Sequence, residues 1–348
     1  MKTVLVTGAN GFVGRHVCQR LLDDGWRVLA AVRDGASAMA SLPHVELFPI
    51  GDLATFAGWH AGLKVADAVV HLAARTHCLG ERPGNVLAAY QATNVEGTRR
   101  LLEACRGTPV RRFVFVSSIK AVGEGASHAY RETDECLPLD PYGQTKRQAE
   151  LLTFQLASDL GIEPVVVRSP LVYGSGVRGN LARLMRLIQR GWPLPLGCVQ
   201  NARSMIHVEN LADAIRVCVD HCTARGEVFH VADTVPVSGR ELAQRLAKAM
   251  GRRARLLPVP VSAMRLLGRA TGKADFVRRL TDSLVVATDK IQLLTGWTPL
   301  VSLDVGLESM ARTFLSGENQ ISREAILVPP TFSCPVPSPA RFGGRGLG

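Results

Sequence analysis

Nowhere in these 348 residues does an apolar run reach the roughly eighteen residues a membrane-crossing helix needs. The first strand-like run begins at about the third residue. That leaves no room for a secretory leader, so a cytoplasmic protein without membrane insertion is the expectation. Carboxylates are the scarcer charge: 30 against 41 lysines and arginines, a net charge of +11. The arginines stand singly or in pairs such as Arg99-Arg100, Arg252-Arg253 and Arg278-Arg279, never in a basic run interleaved with aromatics. That argues against nucleic acid and leaves phosphate-bearing small molecules as the partners for some of this charge. The eight cysteines include no C-x-x-C pair and no histidine cluster at zinc spacing, which excludes a disulfide framework and a cysteine metal site.

What is present is a globular composition, 47% hydrophobic and 20% charged, long enough for two domains or for one α/β domain with an added lobe. An apolar run, Val4-Leu5-Val6, leads into Thr7-Gly8-Ala9-Asn10-Gly11-Phe12-Val13-Gly14 and then into a helical pattern carrying Val17, Leu21 and Leu22. Strand, glycine turn and helix in this order place bare backbone N–H groups and the positive end of a helix where a pyrophosphate can sit. The spacing is G-x-x-G-x-x-G, so Gly8, Asn10, Gly11, Phe12, Val13 and Gly14 are candidate dinucleotide contacts.

Gly25 ends this helix, and Arg27 to Val32 reads as the second strand. Val32 stands where a ribose-binding acid is expected, and Arg33 follows it. An arginine there accommodates a 2′-phosphate, so NADP(H) is favoured and NAD(H) is the alternative, with Asp34 then reaching the ribose. Val45 to Pro49 is a third strand, and Val65 to Ala74 a buried fourth ending in Leu72-Ala73-Ala74. The two alanines let a cofactor lie against the backbone. His71, inside this apolar strand, reads as a hydrogen-bonded core residue. A helical pattern covers Val86 to Ala104, interrupted by Asn94 and Gly97.

The fifth strand, Arg112 to Val116, delivers Ser117-Ser118, and Ile162 to Arg168 is a sixth. Strands alternating with helices to about residue 170 predict a Rossmann-type doubly wound parallel sheet, with a smaller C-terminal substrate-binding lobe over 171–316. The proline- and glycine-rich stretch 317–348 reads as a disordered tail.

Tyr142 and Lys146 open the helix between the fifth and sixth strands and share one face a turn apart. A tyrosine of ordinary pKa, about 10, is a poor base at neutral pH, and a nearby ammonium favours its phenolate. With Ser118 holding a substrate oxygen, this set suits proton transfer coupled to hydride transfer.

In these motifs the chain resembles the extended short-chain dehydrogenase/reductase family, in particular its nucleotide-sugar epimerases, dehydratases and reductases. The resemblance spans about residues 2–315. It adds Asp52-Leu53, Asn94-Val95-Glu96-Gly97-Thr98, Arg203-Ser204-Met205-Ile206-His207-Val208 and Gly296-Trp297-Thr298-Pro299 to the segments above. It implies that Ser118, Tyr142 and Lys146 are catalytic and that Asp52 and Leu53 border the adenine. It also implies that Lys120, Asn180 and Arg203 face a UDP-sugar, and that the protein is a homodimer through the Tyr142 helix. The family's 4,6-dehydratases carry an Asp-Glu pair after the catalytic hydroxyl residue, where this chain has Ile119-Lys120. The string Ser117-Ser118-Ile119-Lys120, with Gly123-Glu124, looks like bacterial enzymes that reduce UDP-4-keto-6-deoxy-N-acetylhexosamines for polysaccharide biosynthesis. A C4 reductase is therefore the leading expectation. The alternatives are a UDP-hexose 4-epimerase of the UDP-glucose or UDP-N-acetylglucosamine type and, more distantly, a non-catalytic NADP(H) sensor.

Overall fold

The computed structural model of the protein describes residues 1–33, 44–76, 86–125 and 128–327, the last ten of these by backbone alone. Strands β1 (Thr3–Thr7), β2 (Arg27–Val32) and β3 (Glu46–Pro49) form one half of a sheet. β4 (Ala68–His71), β5 (Arg112–Ser118) and β6 (Glu163–Ser169) form the other, with helices in the crossovers: α1 (Phe12–Asp23), α2 (Trp59–Leu63), α3 (Val86–Tyr90), α4 (Gly97–Glu103) and α5 (Pro141–Leu160). All pairings are parallel, in the order β3-β2-β1-β4-β5-β6, with a strand from the second half of the chain, Val228–His230, as the seventh. Chain order reverses between β1 and β4, which opens a crevice at their carboxyl ends.

Both sheet faces are covered, so these strands read as continuous apolar runs. Strand parity sorts them: Val4, Val6, Val114 and Val116 enter the core shared with α1, whereas Leu5, Phe113 and Phe115 enter the core shared with α2, α4 and α5. The second half of the chain supplies β7 (Leu171–Tyr173), α6 (Asn180–Gln189), β8 (Met205–His207), α7 (Val208–Asp220) and β9 (Val228–His230). It ends in α8 (Gly239–Ala249), α9 (Val261–Ala270), α10 (Ala274–Thr281), α11 (Asp289–Thr295) and α12 (Leu303–Leu327). β7 and β8 pair in a separate two-stranded sheet, and a third core forms around Tyr173, Met185, Leu246 and Met310.

Three expectations change. β4 is shorter than 65–74, because beyond His71 the chain leaves the ladder to meet the glycine loop. The helix expected over 86–104 is broken by a π-helical turn, Gln91–Glu96, that re-aims Asn94 inward. The stretch read as tail from 317 begins as helix, since α12 runs to Leu327; residues 328–348 lie outside the described ones. The six described cysteines are unpaired, and Cys78 and Cys334 lie outside the described residues. Among the described residues no helix is long and apolar enough to cross a membrane.

Candidate functional site

The glycine loop turns at the carboxyl end of β1. Gly8 has φ +69°, and a Cβ there would stand 2.9 Å from the Ala73 nitrogen, so the loop presses on the backbone beyond β4. A Cβ on Gly14 would stand 2.1 Å from the Gly8 carbonyl oxygen, so only glycine lets α1 start this close to β1. α1 is capped by Gly11 without a side-chain hydrogen bond and carries no acid in its first turn. Its amide donors therefore face the crevice, and the residues fit a dinucleotide pyrophosphate. Asn10, Phe12 and Val13 line the same turn, and Leu72 and Ala74 flank Ala73 at the crevice wall. Leu53 is buried against Gly97, where a Cβ would stand 2.9 Å from the leucine Cγ. Asp52 is exposed, and its Oδ1 accepts the Ala54 amide at 2.9 Å. Arg33 is exposed at the end of β2; Asp34 lies outside the described residues.

A buried polar chain ties this loop to α5. Thr98 donates to the Asn94 carbonyl at 2.7 Å, so His71 Nε2 must donate to Thr98 Oγ1 at 2.9 Å. His71 Nδ1 then accepts from Thr7 Oγ1 at 2.6 Å, and Thr7 Oγ1 accepts the Ala73 amide at 3.1 Å. Burial, and then the Lys146 charge, lowers the His71 pKa to about 3, so it is the neutral core histidine its sequence context implied. From the π turn, Asn94 Oδ1 accepts the Arg75 amide at 2.7 Å, and Asn94 Nδ2 reaches Thr145 Oγ1 on α5 at 3.2 Å.

α5 has strong local start and stop signals. Asp140 caps it by accepting the Gly143 amide at 2.7 Å, Pro141 opens it, and Gly161 closes it at φ +67°. A Cβ on Gly143 would stand 2.4 Å from the Lys120 carbonyl oxygen. That close approach brings the first turn of α5 against the end of β5, where Ser118 accepts the Lys120 amide at 3.3 Å. There Ser118 stands beside the Tyr142 phenol, where its hydroxyl favours the phenolate. Tyr90 stands edge-on to Tyr142, with ring centroids 6.3 Å apart.

The electrostatics differ from expectation. Burial, then Asp140 and Tyr90, push the Tyr142 pKa up, and only the Ser118 hydrogen bond opposes them. Lys146 is itself buried, donates to the Val116 carbonyl at 2.8 Å and lies 4.6 Å over the Phe115 ring. Burial lowers its pKa to about 8, against the raising charge of Glu150. The ammonium is thus held to the strand end, in reach of losing its proton near neutrality.

Of the expected substrate contacts, Lys120 lies 2.5 Å from both Glu124 Oε1 and Asp140 Oδ2. Burial disfavours charge on Asp140, yet Lys120 and the Gly143 amide hold its carboxyl below the usual carboxylate range. Arg203 donates to the Asp282 carbonyl at 3.0 Å. Arg279, which sequence reading passed over, extends from α10 to within 3.9 Å of Glu124 and 3.8 Å of Asp140. Glu124 and Asp140 therefore gather Lys120 and Arg279 into one charged cluster beside Ser118, and Arg203 lies within reach of the charges of Glu124 and Arg279. Asn180 stands exposed at the start of α6, and among the described residues no hydrogen bond links it to that cluster. Glu150 was also missed, although it continues the spacing of Tyr142 and Lys146 by one more turn.

A model of the NAD dependent epimerase/dehydratase family matches residues 4–232. A UDP-glucose 4-epimerase of Vibrio cholerae is 38% identical over 323 residues, covering 92% of this chain and 97% of that protein. Among solved structures, MoeE5 in complex with UDP-glucuronic acid and NAD is 29% identical with a TM-score of 0.72, covering 90% of this chain and 99% of that one. A UDP-glucuronic acid 4-epimerase from Bacillus cereus in complex with NAD, 24% identical, has a TM-score of 0.75 over 90% of this chain and 99% of that one, and shares the fold. By the family match and the near full-length relative, the chain belongs to the NAD dependent epimerase/dehydratase family.

Proposed function

We propose that this protein is a UDP-hexose 4-epimerase working with a tightly held nicotinamide dinucleotide. The observation that carries the reading is the packing of the first turn of α5 on the end of β5, which brings Tyr142 and buried Lys146 to Ser118 beside the glycine crevice. The near full-length similarity to the Vibrio cholerae epimerase favours epimerisation over the reduction expected from the local Ser117-to-Glu124 string. Ile119 and Lys120 offer no carboxylate for dehydration. The dinucleotide, when bound, supplies reversible hydride exchange at a carbinol carbon. Tyr142 takes and returns the proton of the sugar C4 hydroxyl and Ser118 holds that oxygen as charge develops, while Lys146, one turn along the same helix, keeps a positive charge at the strand end. Because the proton and hydride removed at C4 are both returned there, no external reductant is consumed.

Purified protein is expected to interconvert UDP-glucose and UDP-galactose, or their N-acetylhexosamine counterparts, without added NADPH. Stoichiometric NADPH oxidation on a UDP-4-keto-6-deoxyhexosamine, with no interconversion, would overturn epimerisation in favour of the reductase. That second reading is favoured by Arg33, which follows Val32 where a ribose-binding acid is expected. If Arg33 meets a 2′-phosphate, Arg33→Ala weakens NADPH binding about tenfold, the strength of one charge-assisted hydrogen bond, and leaves NADH binding unchanged. Titration of both dinucleotides measures the difference; equal losses remove Arg33 from cofactor choice.

A further inference from the structure

Between Glu241 and Asp275 the chain has eight lysines and arginines and no carboxylate. Arg245 and Arg265 are paired with acids outside this stretch, Arg245 with Glu241 and Arg265 with Asp282. Lys248, Arg252, Arg253, Arg255, Arg269 and Lys273 are exposed cations.

The same stretch exposes large apolar side chains. α9 buries Met264 and Gly268, one turn apart, with Gly268 seated against Val277 of α10. Away from that buried stripe α9 presents Leu266 at 70% and Leu267 at 68% exposure. Just before α9, Leu257 is 46% exposed. That segment pairs with residues following Trp192: the Leu194 amide donates to the Arg255 carbonyl and the Leu257 amide to the Leu194 carbonyl, each at 2.8 Å. Trp192 is itself 59% exposed.

Isolated exposed leucines are ordinary on a protein surface. Leucines and an indole in a stretch where cations far outnumber acids have the composition of a surface that lies on a membrane interface. There the indole rests at headgroup depth and the cations face anionic lipid. We propose that Trp192, the segment 252–257 and α9 form a peripheral docking surface for anionic phospholipid headgroups, lying on the bilayer without spanning it. Lipid is favoured over nucleic acid because single-stranded recognition uses stacked aromatic platforms, and here one tryptophan stands among leucines. The proposal is independent of which C4 reaction the enzyme performs.

The protein carries its own probe. Of its four tryptophans, Trp26, Trp59 and Trp297 are 5%, 1% and 3% exposed, so a change in emission on docking reports on Trp192. Phosphatidylcholine vesicles containing phosphatidylserine are expected to shift the emission to the blue, brominated acyl chains to quench it, and pure phosphatidylcholine vesicles to do neither. Arg252→Glu with Arg253→Glu should lower vesicle affinity roughly tenfold or more, since each cation near the surface contributes appreciably. Leu266→Ser with Leu267→Ser should lower it by about tenfold through lost apolar contact. Arg106→Glu with Arg111→Glu makes the same change in net charge at exposed residues elsewhere and should leave affinity unchanged. Turnover of free nucleotide sugar in solution should be the same in all three variants, which reports that they fold. Three results would overturn the proposal: no emission change or vesicle pelleting by the wild type, equal loss in the Arg106/Arg111 control, or wild-type binding by the leucine variant. Release of vesicle-bound protein by a small amount of RNA would reassign the surface to nucleic acid.

Discussion

Tyr142→Phe is expected to lower kcat by about 10²–10⁴-fold, the range for losing a positioned proton-transfer group. The change removes one hydroxyl and keeps the ring that packs edge-on to Tyr90. The backbone at 142 is held independently of the phenol by the Asp140 cap, by Gly143 against Lys120 and by Thr145 donating to the Pro141 and Tyr142 carbonyls. Thermal unfolding should therefore move little while turnover collapses, and nucleotide-sugar binding should survive. Ser118→Ala removes the partner that opposes the upward shift of the Tyr142 pKa. Its pH–rate profile should move to higher pH, because a higher phenol pKa demands less acid conditions before the base form is populated. Wild-type turnover in Tyr142→Phe would take this residue out of the chemistry altogether.

Replacing Glu150 by leucine should cause the largest loss of stability, about 3–5 kcal/mol, because it leaves a buried guanidinium without its counter-ion. Arg168 and Glu150 have side chains only 2% and 1% exposed and are joined at 2.7 Å and 2.9 Å. Ser117 donates to the same carboxylate at 2.6 Å, and Arg147 reaches it at 3.1 Å. The double variant Glu150→Leu/Arg168→Met should recover part of the loss, since removing both charges leaves no uncompensated ion. Urea unfolding midpoints of the two variants decide this, and a single-variant loss below about 1 kcal/mol would mean that Arg168 finds solvent. Glu150 also raises the Lys146 pKa against burial. In the neutral isostere Glu150→Gln, Lys146 should therefore lose its proton below about 8, shifting any rate limb it controls to lower pH. Glu150 of the buried ion pair and the candidate catalytic lysine thus lie on one helix, and a change made for stability is read out in the pH profile.

Much of the sheet was legible because both-face burial writes itself as short runs of valine, leucine and alanine between glycine turns. β2 has its expected bounds, and β1, β5 and β6 differ from theirs by a residue or two at the ends. The glycine loop and the Tyr142–Lys146 spacing were legible for the same reason: each is a local pattern, complete within a turn or two of chain. α7 was not read, although ten of its thirteen residues are buried. Its Glu209, Asp213, Arg216 and Asp220 recur at helical spacing, so the period was there to be read.

What the sequence determined by itself is the order of strands and helices through β6, the glycine crevice and the hydroxyl, phenol and ammonium that meet beside it. The tertiary structure decided the rest: that Lys120 and Arg279 converge on Glu124 and Asp140, and that His71 is neutral between Thr7 and Thr98. It also decided that burial drives Tyr142 upward while Lys146 is drawn to the Val116 carbonyl. Most of these contacts join residues at least 20 apart along the chain, such as Lys120 with Asp140 and Glu124 with Arg279. Spacing along a helix or strand encodes which neighbours share a face. Charge state and hydrogen-bond partners depend on which distant elements exclude water from that face, and only the folded chain specifies them.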